Sequence, residues 1–286
     1  MHPFFVDTRI LGLPVALPSY AVLAVAGMVA AGTVYALLVD GFRAKAFEHI
    51  LFLGVVLLSG AVGARIGGLV ITAARGGLAG ASWWEAALSS GSSIGFGMAV
   101  GGAVLAVYVR IDPHRILTWQ ALDALAVGFP FGHALGRIGC LLAGCCYGKV
   151  CEDCLLTITY PDDWLVPRLL GREMVHGPRI ASPLIAAVGL VLIGVCLLIV
   201  CKSTRSRGQI VPLYLLLYGP FRFVQEFTRG DAERGFLGPL SSGQWFAVAA
   251  VIAGVVLLLA YLRRRNHGGT LPPYRPISYT GRGGNR

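Results

Sequence analysis

Residues 181–201 read ASPLIAAVGLVLIGVCLLIVC, a run of twenty-one residues without a single charge. As a helix, about 20 such residues cover the roughly 30 Å of a bilayer's hydrocarbon core. The run shows no alternation of apolar and polar positions, and a barrel strand needs both alternation and only about half this length. In lipid only a helix or a closed barrel satisfies the backbone, so the stretch is read as a transmembrane helix.

Similar blocks extend in both directions, at about 18–39, 50–74, 92–110, 119–142, 209–227 and 243–262. The expected fold is all-α: a polytopic membrane protein with about seven transmembrane helices, in one unit over residues 1–265. The connection 147–180 forms an outer-side loop or cap, and 266–286, rich in Gly, Pro and Arg, forms a disordered cytoplasmic tail. The composition agrees. Of 286 residues, 56% are hydrophobic and 13% are charged, and the mean hydropathy is +0.71. A soluble domain carries about a quarter charged residues. The first residues lack a basic region followed by an apolar run, so no cleavable signal peptide is expected. No internal repeat is visible.

The net charge of +10 gathers beside the ends of the apolar blocks. No basic stripe interleaved with aromatics is present, so no nucleic-acid partner is expected. Lys and Arg instead report orientation. Thirteen fall in one set of connections and the C-terminal tail, against eight in the other set. The reading places the N-terminus outside and the C-terminus in the cytoplasm.

Arg65, Arg137 and Arg222 fall inside blocks. Each costs roughly 2.5–3.5 kcal/mol on insertion scales, and such a residue normally faces a polar cavity with a partner. One reading is a structural ion pair, with Asp123 or Glu226 as the acid. The other is an arginine-lined cavity for an anion, since guanidinium matches phosphate bidentately. In a membrane that phosphate is a lipid headgroup. "GARIGG" (63–68), "GFGMAVGG" (95–102) and "GRIG" (136–139) supply small residues for close helix approach.

Several segments together resemble the prolipoprotein diacylglyceryl transferase family. The signature Arg-x-Gly-Asn-Phe-x-Asn-x-Glu-x-x-Gly is matched in register by Arg137, Gly139 and Gly148 in "GRIGCLLAGCCYG" (136–148). "YGPFRFVQEFTRGD" (218–231) is similar to a second family stretch and puts Tyr218, Arg222, Glu226 and Arg229 on motif positions. "SSGQW" (241–245) is similar to the family's Ser-Met-Gly-Gln, "GARIGG" places Arg65, and Tyr20 sits at the family's early tyrosine. The resemblance implies transfer of a diacylglyceryl group from phosphatidylglycerol to the cysteine thiol of a lipobox-containing prolipoprotein or another thiol acceptor. It also implies a multi-pass protein of the bacterial inner (plasma) membrane, working without a cofactor. The chain departs from the pattern at Cys140, Ala143 and Cys145, which replace Asn, Asn and Glu, and at Gly95, which replaces His. "IASPLIA" (180–186) lacks the family's His, Tyr and Glu.

Such a transfer needs a phosphate clamp, a thiolate nucleophile and a lipid carbon held in line. Arg137 and Arg222 suit the clamp; Tyr218 and Tyr20 suit orientation. The expected binding set adds Arg65, Gly139, Gly148, Glu226 and Arg229. His133, one helical turn before Arg137, is a candidate base or a structural histidine. Cys145 is a candidate nucleophile or redox centre beside a guanidinium, or a space-filling thiol. Cys151 and Cys154 form C-x-x-C and admit a disulfide on an oxidising side or free thiols. No metal is expected, with one alternative: zinc held by Cys145, Cys146, Cys151 and Cys154. Cys196 and Cys201 are read as core residues. Two other functions fit the same residues. One is a membrane thiol oxidoreductase built on the cysteines, and the other a non-catalytic phospholipid-binding or transport protein.

Overall fold

A computed structural model of the chain describes residues 4–10, 13–39, 42–74, 94–111, 119–160, 177–203, 208–230 and 236–266. Seven helices occupy the seven apolar blocks: α1 (Ser19–Leu38), α2 (Ala46–Ala74), α3 (Ile94–Ile111), α4 (Trp119–Ala143), α5 (Ser182–Ser203), α6 (Ile210–Gln225) and α7 (Ser242–Asn266). The chain is an all-α membrane protein. Among the described residues five segments are long and apolar enough to cross a bilayer: α1, Phe42–Val70 running into α2, α4, α5 and α7. The expected count of seven is not confirmed. In α3 the apolar stretch narrows to Ala99–Tyr108. The 16 residues of α6 rise only about 24 Å before Glu226–Thr228 tighten into a 3-10 turn.

Among the described residues three short antiparallel hairpins, unforeseen from the sequence, lie before α1 or between helices. They are β1 (Phe4–Ile10) with β2 (Leu13–Pro18), β3 (Thr157–Thr159) with β4 (Pro178–Ile180), and β5 (Phe236–Leu237) with β6 (Leu240–Ser241). The second belongs to the expected cap, of which 147–160 and 177–180 are described. The tail from 267 onward lies outside the described residues.

Helix α4 is the hub, packing on α1, α5 and α6, while α2 pairs with α3 and α6 with α7. Small residues set the α1–α4 approach. Gly27 and Gly132 meet back to back, so that a Cβ on Gly27 would lie 2.5 Å from the Gly132 carbonyl oxygen. Lipid gives apolar helices no hydrophobic reason to associate, so this close backbone packing supplies the contact energy. Elsewhere α1, α2, α5 and α7 expose large apolar side chains such as Val29, Leu58, Leu192 and Val256. On a soluble monomer such a surface would be an interaction patch; here it is the lipid-facing surface.

The core lies at one end of the bundle, where Tyr35, Leu38, Val127, Leu197, Cys201 and Ile210 are buried together. Polar groups there have partners. Gln120 Nε2 donates to the Leu38 carbonyl at 2.8 Å, and Tyr35 Oη and His49 Nδ1 are 2.8 Å apart. Asp123, weighed above as an arginine partner, instead accepts the backbone N–H of Gly208, Ile210 and Val211 and caps α6. That is a carboxylate at a helix N-terminus, where it is favoured. Cys201 joins the core as expected, whereas Cys196 is exposed on the outer face of α5.

Candidate functional site

The opposite end of the bundle collects the first turn of α1, the last turns of α4 and α6, the start of α5 and α7, and the first residues of the cap. Arg137 is buried on α4, 6% exposed. Its Nε donates to His133 Nε2 at 3.2 Å, one turn earlier on the same face. The groups that act on its charge are Cys146, Cys140, Tyr218 and Arg229. Among the described residues Arg137 has no ion-pair partner; the salt bridge found there joins Arg222 to Glu226.

His133 therefore holds its lone pair toward Arg137. The neutral ring must carry its proton on Nδ1, which is buried without a hydrogen-bond partner. In this arrangement the nitrogen a base needs is occupied, and His133 orients the guanidinium. Its ring also closes a square of aromatics: Phe129 at 5.8 Å and Tyr218 at 6.1 Å between centroids, with Tyr214 stacked on Tyr218 at 5.4 Å and 6.0 Å from Phe129.

Arg222 is committed to protein. It pairs with Glu226, one turn on, and its Nη1 donates to Gln225 Oε1 at 2.7 Å. Gln225 Nε2 donates to Ser182 Oγ at 2.9 Å, and Ser182 Oγ lies 3.0 Å from Thr228 Oγ1. Glu226 Oε1 accepts from Ser241 Oγ at 2.9 Å. Ser241 in turn caps α7, its Oγ taking the Gln244 N–H while Gln244 Oε1 takes the Ser241 N–H. Gly243 leaves room for the pair, since a Cβ there would sit 2.5 Å from Arg222 Nη2 and 2.7 Å from Glu226 Oε2.

Gly148 is buried between the cap strand β4 and the segment that follows α6. Its N–H donates to Ile180 O at 3.1 Å and it bridges Arg229, while Lys149 N donates to Thr228 O at 3.0 Å. Gly139 fits under Tyr20, where a Cβ would come within 3.2 Å of the Tyr20 Cα. Tyr20 is half-exposed, and Arg137, Cys140, Cys145 and Cys146 all act on it. Arg65 is exposed on α2.

The cysteines divide differently from the zinc alternative. Cys151 and Cys154 form the disulfide that their C-x-x-C spacing admits, which removes them as thiolate ligands. Cys145 and Cys146 fold back instead on Cys140, and the three sulfur atoms lie within 4.8 Å of one another. Hydrogen bonding with Cys140 and Cys146 pushes the Cys145 thiol far above the usual range. Hydrogen bonds from Cys140 and Cys145, helped by the Arg137 and Arg229 guanidinium groups, pull Cys146 well below it against burial.

The site thus unites Arg137, His133, Tyr218, Arg229, Tyr20 and the thiols, with Arg222 and Glu226 in the wall. Gln225, Ser182, Ser241 and Tyr214 were missed. The signal for Ser241 was present, because Ser-x-x-Gln before an apolar run is a capping pattern.

A family model described as prolipoprotein diacylglyceryl transferase matches residues 8–260. Among curated proteins, "Phosphatidylglycerol–prolipoprotein diacylglyceryl transferase 2" of Clostridium perfringens is 29% identical over 163 residues, 57% of this chain and 59% of that protein. The phosphatidylglycerol–prolipoprotein diacylglyceryl transferase of Pseudomonas aeruginosa is 32% identical over 166 residues, 57% of this chain and 58% of its own. That of Methylobacillus flagellatus is 33% identical over 174 residues, 59% and 62% of the two chains. The chain spans about three fifths of the length of these relatives. With the family model matched across nearly all of the helical bundle, the chain belongs to the prolipoprotein diacylglyceryl transferase family.

Proposed function

We propose that this chain transfers the diacylglyceryl group of phosphatidylglycerol to the cysteine thiol of a lipobox-bearing prolipoprotein. The observation that carries the reading is Arg137, a buried guanidinium with no ion pair among the described residues. A buried guanidinium without a carboxylate partner is strongly unfavourable, and a lipid phosphate supplies an anion beside the Cys146 thiol that already acts on it. Arg229 acts on the same region and adds a second positive charge.

The step follows from these positions. Arg137 and Arg229 neutralise the phosphate. The acceptor, having lost its thiol proton, attacks with a sulfur electron pair the glyceryl carbon that bears the phosphate oxygen. A carbon–sulfur bond forms, the carbon–oxygen bond breaks, and its electrons leave on glycerol phosphate. Stabilising that departing charge in a dry site is where a fixed guanidinium contributes most. Arg222 and Glu226, bound to each other, hold the wall between α6 and α7. Tyr218 and Tyr20 orient lipid and peptide, and Arg65, exposed on α2, meets lipid phosphate at the bundle surface.

We place the site at the outer face of a bacterial inner membrane, with the N-terminus outside and the C-terminus cytoplasmic. The thirteen-to-eight asymmetry of Lys and Arg supports this orientation. So does the Cys151–Cys154 disulfide beside the site, a bond that persists on an oxidising side. The test incubates the protein, in bilayers containing phosphatidylglycerol, with a lipobox peptide and weighs the product by mass spectrometry. A diacylglyceryl adduct on the cysteine is expected, and Arg137→Ala abolishes it. A folded protein that yields no adduct, and no rescue of cells depleted of their own transferase, would sink the proposal.

A further inference from the structure

Helix α4 ends in an unusual reversal. Gly144 and Cys146 both take left-handed backbone conformations, at φ 69° and 58°, and Cys146 is the only such non-glycine among the described residues. A side chain in that region costs about 1 kcal/mol or more. Between them the Cys145 N–H donates to the Cys140 carbonyl at 3.0 Å, and the Gly144 N–H to Leu141 O at 3.3 Å. The turn closes back on the helix, and this strained geometry brings Cys145 and Cys146 against Cys140. All three remain thiols, whereas Cys151 and Cys154 a few residues on are oxidised.

Three sulfurs within 4.8 Å of one another are close to a metal-binding triangle. Tetrahedral thiolate ligation with a metal–sulfur bond of about 2.3 Å sets the sulfurs about 3.8 Å apart. Closing the triangle therefore asks at most about 1 Å of motion. The soft donors select a thiophilic cation over magnesium or calcium. Three thiolates around a divalent ion leave a net negative charge, and Arg137 and Arg229 stand ready to balance it. Three protein ligands also leave a fourth position open, the pattern of sites that bind water or substrate rather than serve structure alone.

We propose that Cys140, Cys145 and Cys146 form a binding site for a thiophilic divalent cation of the zinc class, whose open fourth position takes the acceptor thiol as a thiolate. This rests on the transfer reading above and supplies the step that reading leaves without a residue. His133 Nε2 is engaged by Arg137. Coordination releases the acceptor's proton to water, so no side-chain base is required. The bound sulfur then attacks the glyceryl carbon beside Arg137, its electron pair forming the carbon–sulfur bond. The carbon–oxygen pair leaves on glycerol phosphate, and the thioether, a weak ligand, departs from the cation without any change of oxidation state.

The test uses the full chain purified under reducing conditions and titrated with Cd²⁺ and then Zn²⁺. Expected is about one equivalent of Cd²⁺ per chain, with the ultraviolet sulfur-to-cadmium charge-transfer band of three thiolates, and competition for the same site by Zn²⁺ in large excess. Cys145→Ser and Cys146→Ser should each weaken binding by more than the roughly 10–100-fold that a lost outer-shell partner costs. Cys196→Ser, on the exposed face of α5, and the double variant Cys151→Ser/Cys154→Ser should leave it unchanged. No charge-transfer band, a band that survives Cys145→Ser, or recovery of two of the three thiols as a disulfide in the fresh protein would overturn the site. In a second arm, lipobox-peptide transfer is measured on chelator-stripped and Zn²⁺-restored protein. Loss on stripping and return on restoration is expected. Undiminished transfer by stripped protein overturns the metal's role and leaves the transferase reading standing. Full metal loading without any transfer overturns that reading and the thiol-activating role together, while the three-thiol site itself stands on the titration.

Discussion

Replacing Gly148 by alanine tests whether the cap is fastened to the bundle at the point where the site is built. A Cβ on Gly148 would fall directly on the Ile180 carbonyl, with the Ile180 Cβ at 2.6 Å and its carbonyl carbon at 2.9 Å. These are backbone and near-backbone atoms, so the strand itself must move. Four hydrogen bonds cross this seam: Gly148 N to Ile180 O at 3.1 Å, Ile180 N to Lys149 O at 2.9 Å, Lys149 N to Thr228 O at 3.0 Å and Gly230 N to Tyr147 O at 3.1 Å. Losing two or three of them, at about 0.5–1.5 kcal/mol each, costs on the order of 1–4 kcal/mol. The strain is local to the cap, so helix melting should shift little while the cap opens. Pulsed hydrogen exchange on residues 147–150 and 178–181, read beside transfer to a lipobox peptide, separates the two. Expected are faster exchange in both segments and a transfer rate lower by at least an order of magnitude, because Arg229 loses its bridge to Gly148. Exchange and transfer both unchanged in Gly148→Ala would refute the packing argument and the placement of Arg229 that depends on it.

Other perturbations separate positioning from chemistry. His133→Ala should cut transfer by about 10–100-fold through the lost acceptor for Arg137 Nε, whereas His133→Gln, whose amide oxygen also accepts, should restore most of it. Neither variant should move the acid limb of the pH–rate profile, and a shifted limb would return His133 to the role of base. Gly243→Ala should displace Arg222 from Glu226, lowering transfer with the binding of Cd²⁺ unchanged; equal activity would show that the pair is free to give way. Asp123→Asn removes a charged cap from α6, far from the site, and should lower thermal stability in detergent by about 1–3 kcal/mol without altering KM for the peptide.

The bundle was legible because lipid imposes one rule, an apolar length, and five segments of the described residues obey it. The rule weakens where length and apolarity fall short. In α6 the run stops at Glu226, because the pair it makes with Arg222 and Ser241 fixes the helix end. The arginines were visible as charges out of place, and the i, i+4 spacing of Arg222 and Glu226 made their pairing readable. What separates Arg137 from Arg222 was not readable. Both sit one turn from a polar residue, but one neighbour is an acid that consumes the charge and the other a histidine that only orients it. Spacing alone left the cysteines open between a Cys151–Cys154 disulfide, free thiols and a zinc set. Cys145, Cys146, Cys151 and Cys154 have zinc-like intervals, yet a left-handed Cys146 turns the first pair toward Cys140 and leaves the second pair to itself. Sequence spacing does not encode a positive φ at a non-glycine residue.

The arginine and the thiols thus have a single explanation. A transferase of this kind must lower two barriers, the departure of a phosphate and the ionisation of a thiol, and both involve developing negative charge in a medium that opposes it. Placing cations at both points is the economical solution. In the proposed reaction Arg137 and Arg229 would provide it for the phosphate, fixed by His133 on one side and by the Gly148 bridge on the other. For the thiol, the described residues offer no side chain with a free basic lone pair beside Arg137. They offer instead three sulfurs gathered by a turn with a left-handed Cys146. A divalent cation held there would sit next to the same guanidinium groups, so the two charges that must form and move apart would do so across one compact site. If so, stripping the cation and removing Arg137 act on the same transition state, and the double perturbation should cost less than the product of the two single losses.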